Sequence, residues 1–178
     1  MSSPSDSSTE HHAASNMFPL RFKIHAFAVH CYNTIRCRVI YNNFDFSSYK
    51  AEEQPSPPPP APDYREHWGL ASYAGIRNFP APAEVQWTSL DGASHEAKLD
   101  IGAIFKDERV LYKVPDSEIP DGMFPQGLII DPGILLEVND RTINVYMKAL
   151  IPTKTEQIPG NKYSDAREDV ILAWTHTY

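Results

Sequence analysis

This chain has no apolar stretch long enough to cross a bilayer, no lysine and arginine cluster, and only two cysteines among its 178 residues. Each shortage excludes something. Without a long apolar run, no membrane-spanning helix is expected. Sixteen basic residues against 23 acidic ones give a net charge of −7, and the missing basic stripe argues against nucleic acid, where phosphate neutralisation supplies most of the affinity. It argues equally against an anionic membrane surface. A basic protein partner would be favoured electrostatically, although such a charge also serves solubility. Ile24 to Val29 is too short a run for a secretory signal and is interrupted by His25, so no export signal is expected in the chain as it stands. Met17 behind a serine-rich leader leaves an imprecise start site open. The expected location is periplasmic if an export segment is missing and cytoplasmic otherwise.

Catalytic motifs are also missing. Gly69-Leu70-Ala71-Ser72-Tyr73-Ala74-Gly75 has the wrong spacing for a nucleophile elbow; a phosphate-binding loop, a His-Glu-x-x-His zinc motif and an EF-hand are lacking. His95-Glu96 is an isolated pair. Asp116-Ser117-Glu118-Ile119-Pro120-Asp121-Gly122 concentrates carboxylates, which suits calcium or a basic partner, but without the EF-hand ligand order it reads as an acidic turn. His25, His30, Cys31 and Cys37 match no common zinc spacing, and adjacent strand residues point to opposite faces. No metal, cofactor or enzymatic activity is expected. Cys31 and Cys37 can form a disulfide across a turn in an oxidising compartment or remain free thiols in the cytosol.

What the chain does have is alternation. In Arg141 to Leu150, Ile143, Val145 and Met147 share one face while Thr142, Asn144, Tyr146 and Lys148 share the other. With Ile134 to Val138 before it and Asn139-Asp140 between, the pattern predicts a hairpin, because Asn and Asp tolerate positive φ. A second hairpin is expected from Glu84 to Leu90, across Asp91-Gly92, to Ser94–Asp100. Arg21 to His30 alternates too, with Ile35 to Tyr41 as its expected partner across Asn33-Thr34. Val170 to Thr175 reads as a buried closing strand. Helix is expected only at Ile101 to Lys106, with Asp100 as N-cap, and as one further turn at Ser164 to Asp169.

These elements predict a mainly β, antiparallel, sandwich-like domain built from hairpins, with one or two short helical turns. Residues 1–18 are expected to be a disordered leader and 19–178 a single domain. Six of the sixteen prolines fall between Pro55 and Pro62, making 51–63 a stiff exposed connection between strands.

Glu84 to Gly92, Leu99 to Asp107 and Ile143 to Ala149 resemble small immunity proteins encoded beside type VI secretion effectors, especially those guarding against lipase (phospholipase) toxins. The likeness covers roughly Arg21 to Tyr178. Many such proteins are exported lipoproteins, whereas this chain lacks a lipobox cysteine behind an apolar segment. The resemblance implies an inhibitor that binds one cognate effector, occluding its active site or locking its lid.

Tight protein inhibitors use a few aromatic anchors within a polar rim. Tyr64, His67, Trp68 and Tyr73 follow the proline stretch and are candidate anchors or candidate core residues. Glu52, Glu53, Asp63 and Glu66 are expected to form an acidic rim beside them, and Asp116, Glu118 and Asp121 a second acidic loop. Two further classes fit the sequence: an effector adaptor or chaperone, and a small-ligand or carbohydrate-binding β domain that stacks sugars on Trp87, Trp68 and Tyr146.

Overall fold

The alternating segments build two sheets packed face to face in the computed structural model, which describes residues 14–47, 54–129 and 131–178. Strand β1 (Arg21–Phe22) leads into β2 (Ile24–Tyr32), β3 (Thr34–Tyr41) and β4 (Phe44–Asp45). A 3-10 turn at Tyr64–His67 precedes β5 (Tyr73–Arg77), β6 (Ala83–Ser89), β7 (Ser94–Leu99) and the short helix α1 (Ile101–Ile104). A second 3-10 turn, Asp116–Glu118, is followed by β8 (Leu128–Ile129), β9 (Gly133–Asn139) and β10 (Thr142–Lys148). Then come β11 (Ile151–Pro152), β12 (Ala166–Arg167) and β13 (Val170–Thr177).

One sheet has five strands in the order β13-β10-β9-β2-β5, the other four in the order β4-β3-β6-β7. Two-stranded pairs, β1 with β8 and β11 with β12, complete the set. The mainly β fold expected from the alternation is present, with one refinement: β2 runs parallel to β9, so the larger sheet is mixed. Phe27, Ile134, Leu136, Val138, Ile143, Val145 and Met147 from the larger sheet meet Val39, Tyr41, Val85 and Trp87 from the smaller one in a single buried cluster. Burial of such apolar area is the main source of stability here.

Both expected hairpins form. β9 and β10 pair from Asn139↔Thr142 to Gly133↔Lys148, with Asp140 taking the positive φ of 51°. β6 and β7 pair around a turn in which Gly92 adopts φ 84°, a conformation glycine enters without steric cost. Asp100 caps α1 by accepting from the Ala103 amide at 2.9 Å.

Three expectations need correction. β3 is not the sheet partner of β2: β2 has both edges occupied, by β5 and β9, so the chain crosses at Asn33 and β3 joins β4 and β6 in the other sheet. Ser164 to Asp169 forms no helical turn; Ala166–Arg167 pairs with Ile151–Pro152 as a strand. The closing strand β13 is not buried but lies at the sheet edge, with Leu172 49 % exposed. At the other end of the chain, Asn16 already bonds to the Pro120 carbonyl and the Phe124 amide, inside the segment expected to be leader.

The crossing at Asn33 gives the cysteines their role. Cys31 on β2 and Cys37 on β3 are joined in a disulfide, which ties the two sheets together at one corner. The proline segment lies along this corner: Ser56 donates its amide to the Thr34 carbonyl at 2.7 Å, and its hydroxyl accepts from the Thr34 amide at 3.0 Å.

Candidate functional site

The face of the five-stranded sheet that points away from the main core is not left to water. Ala28, His30 and Tyr32 of β2 lie level with Leu135, Glu137 and Asn139 of β9, and Glu137 is opposite Asn144 of β10. Tyr64, Trp68, Leu135 and Tyr146 make a second apolar cluster over this face. The turn following the proline segment is thus pressed onto the sheet.

A buried carboxylate organises the contact. Glu137 is fully buried and accepts from the Tyr64 hydroxyl, from Asn144 Nδ2 at 2.8 Å, and from Arg65 NH2 and Nε at 3.0 and 3.3 Å. The Tyr146 hydroxyl lies 3.4 Å away. Burial raises the Tyr146 phenol to about 12, with the Glu137 charge acting in the same direction. Lys148 donates to the Trp68 carbonyl at 2.6 Å and pairs with Glu168 at 3.3 Å, fixing the end of the turn. Charges this deep survive because each has a partner.

Both aromatic candidates that the sequence offered here, Tyr64 and Trp68, are core residues at 6 % exposure each. They hold the turn and do not project from it. Asp63 and Glu66 are exposed, with Asp63 3.1 Å from His67. Glu52 and Glu53 lie outside the described residues. Tyr73 packs against Phe44 and Phe46.

His30 stands between two open grooves. Its ring stacks on Trp68 at 4.3 Å and an interplanar angle of 1°, and its Nε2 is buried with no hydrogen-bond partner among the described residues. Burial lowers its pKa, opposed by the Glu137 charge. One groove, of about 540 Å³, lies between the proline segment Gln54–Pro57 and the disulfide corner, with Val29, Tyr32 and Phe46 in its walls. The other, of about 450 Å³, runs from Phe44 and Phe46 towards Gly69 and Leu70. Both volumes suit a partner side chain or a small ligand.

The second acidic loop is elsewhere. Asp116 accepts from the Tyr112 hydroxyl at 2.6 Å, the Glu118 carbonyl accepts from the Lys154 amide, and Asp121 pairs with Lys154 at 3.6 Å. Asp116 shares a groove with Ile171, whose partner Met147 faces the main core, whereas Tyr64 and Trp68 cover the opposite face of the same sheet. The two acidic rims therefore do not meet on one sheet face.

One constellation has the residue types of a nucleophile and base. Ser89 Oγ is 2.9 Å from His95 Nε2 and also donates to Asp91. Asp91, the Ala93 carbonyl and His95 compete for the single hydroxyl proton, and the direction of the His95 contact depends on its tautomer. Ser89 is also fully buried, at the end of β6. Among the described residues no group of three His, Cys, Asp or Glu is placed to hold a metal ion. Trp87, Trp68 and Tyr146, the rings expected to stack a sugar, are all buried.

Sequence reasoning missed Glu137 and Lys148, and weighed His30 only as a zinc ligand. The available signal was an acid within the apolar run Ile134 to Val138, facing Asn144 across the hairpin. Comparison with known proteins yields no matching family model, no matching curated protein and no matching solved structure.

Proposed function

We propose that this chain is an immunity protein, which binds and inhibits a cognate antibacterial type VI secretion effector of the lipase class by blocking its active site or lid. The observation that carries this reading is the about 540 Å³ groove beside the disulfide corner. Its walls are held from several sides, by the Ser56 bonds to Thr34, the Cys31–Cys37 link and the Glu137 cluster behind Tyr64. Such a preorganised concavity loses little conformational entropy when a partner side chain enters. Exposed Asp63 and Glu66 on the adjoining turn, and a net charge of −7, favour a basic patch around that side chain. The toxin class comes from the sequence resemblance.

The disulfide supports a periplasmic site of action, since such bonds persist in oxidising compartments. No helix among the described residues is long and apolar enough to cross a membrane. The adaptor reading shares these features but requires a second binding partner in the secretion machinery. The test is co-expression with the effector candidate encoded in the adjacent gene. Host survival together with co-purification supports immunity; co-purification without survival supports the adaptor; neither removes both.

A further inference from the structure

The four outermost strands of the two sheets are unequal. β4 has two residues and β5 has five, while β7 carries Glu96 and Lys98, charges of the kind that keep a sheet edge from pairing with other chains. β13 has eight residues, Val-Ile-Leu-Ala-Trp-Thr-His-Thr, with no acidic residue, lysine, arginine, proline or glycine. Among the described residues only β10 pairs with it, so the backbone groups on its other side face outward. A bulge at the Val145/Tyr146 register shift divides this edge, leaving Val170–Leu172 as a regular stretch at its start.

A groove of about 590 Å³ adjoins that stretch. Ile171 forms one side, and Leu111, Tyr112 and Val114 form the other, with Arg109 and Asp116 at the polar margin. The segment from Arg109 is held beneath the sheet, its Leu111 amide 3.1 Å from the Met147 sulfur. A strand added beside β13 projects alternate side chains to the core side of the sheet, where this apolar groove lies.

We propose that the edge of β13 and this groove accept an extended segment of a partner protein by strand addition. The segment has alternating apolar residues and carries lysine or arginine. In this mode main-chain hydrogen bonds supply affinity and side-chain pockets supply specificity. Basic flanks follow from the net charge of −7 and from Asp116 at the groove and exposed Asp165 just before β13; Arg109 also lines the groove, while Glu168 is paired with Lys148 and Arg167 with Asp169. A second copy of the chain is the poorer occupant, because two molecules of charge −7 repel and each would bring the same acids to the contact. The inference rests on the reading that the chain binds another protein and adds a surface for that partner, distinct from the groove at the disulfide corner.

The test uses the full chain and a short synthetic peptide with lysine at both ends and valine alternating with threonine between them. Its N-methylated counterpart, which lacks alternate amide donors, is the control. Expected are shifted amide resonances and slowed hydrogen exchange at Val170–Thr177 and Leu111–Val114. The N-methylated peptide should bind at least about tenfold more weakly, as loss of one or two net hydrogen bonds predicts. Leu172→Lys, at an exposed side chain, and Asp116→Lys should each weaken binding while leaving the fold's spectrum unchanged. Unperturbed β13 resonances at millimolar peptide, equal binding of the N-methylated form, or sedimentation showing that β13 is occupied by a second copy would each overturn the proposal. Rescue from the toxin by a chain whose β13 binds no peptide would remove this inference and leave the immunity reading standing. Peptide binding without rescue would do the reverse.

Discussion

Removing Arg65 alone from the Glu137–Arg65 pair should cost more than replacing both partners, by an amount that can be worked from the contacts. Glu137 is fully buried, while the Arg65 side chain is 33 % exposed. In Arg65→Met the aliphatic stem can still cover the Tyr64 and Tyr146 rings, over which the guanidinium sits at 4.4 and 5.2 Å. The carboxylate then keeps only the Tyr64, Asn144 and distant Tyr146 donors, and an under-compensated buried charge costs about 3 kcal/mol. In Glu137→Gln the guanidinium turns to water through its exposed side, so the loss is smaller, about 1.5 kcal/mol for the lost charged hydrogen bonds. The double variant has no stranded charge and should lose about 2 kcal/mol, well short of the sum, for a coupling of about 2–3 kcal/mol. For a chain of this size each kcal/mol moves the melting temperature by roughly 2–4 °C, so Arg65→Met should melt about 6–12 °C lower. Urea denaturation of the four proteins measures the cycle. A coupling below about 0.5 kcal/mol is the value for a solvent-screened pair and would refute the claim that this ion pair clamps the turn to the sheet.

His25 is buried, with Nδ1 2.7 Å from Asn78 Oδ1 and Nε2 3.0 Å from the Tyr41 hydroxyl, and burial lowers its pKa below 6.5 despite the Asn78 bond. The unfolded chain binds that proton first, so His25 should make stability fall as pH drops below about 6.5, by up to about 1.4 kcal/mol per pH unit, and level off below its folded pKa; buried His30 adds a limb of the same sign, so His25→Gln should remove part of the slope, and His25→Gln with His30→Gln most of it, in denaturation curves run from pH 7.5 to 5. Replacing Cys31 and Cys37 together by alanine should cost about 2 kcal/mol, as loop-closure entropy predicts for a sequence separation of 6, and the wild-type protein should show the same loss on adding reductant. Trp68→Ala should destabilise by about 3–5 kcal/mol, while the affinity of the folded fraction for the effector stays within about threefold; a larger affinity loss in calorimetry would place Trp68 at the interface. Charge reversal at Asp116, Glu118 and Asp121 should slow association at low salt more than it changes dissociation, and unchanged association rates in stopped-flow mixing would remove that loop from the contact.

Local chemistry made much of this fold legible. The Ile134 to Leu150 hairpin announced itself through period-two alternation around Asp140, and Asp100 through its place ahead of α1. What stayed hidden depends on contacts distant in sequence. Asn144, Tyr146 and Lys148 look like the wet face of a strand, and they are covered because Tyr64, separated from Glu137 by 73 positions, brings a turn down on them. A single sequence contains no local mark of that lid. The crossing at Asn33 was equally obscure, since the same positive φ serves a hairpin turn or a passage between sheets, and only the occupied edges of β2 decide between them. For the candidate site, the exposed acids Asp63, Glu66, Asp116 and Asp121 were legible as surface charge. The grooves were not, because each is lined by segments far apart in the chain.

The most direct test of inhibition by binding is to titrate the purified chain into a lipase assay of the purified effector. Activity falling to zero at one molar equivalent, with exchange protection at His30, Phe46 and Pro55 to Pro57's neighbours, is the predicted result. Full lipase activity in the presence of excess chain would contradict it.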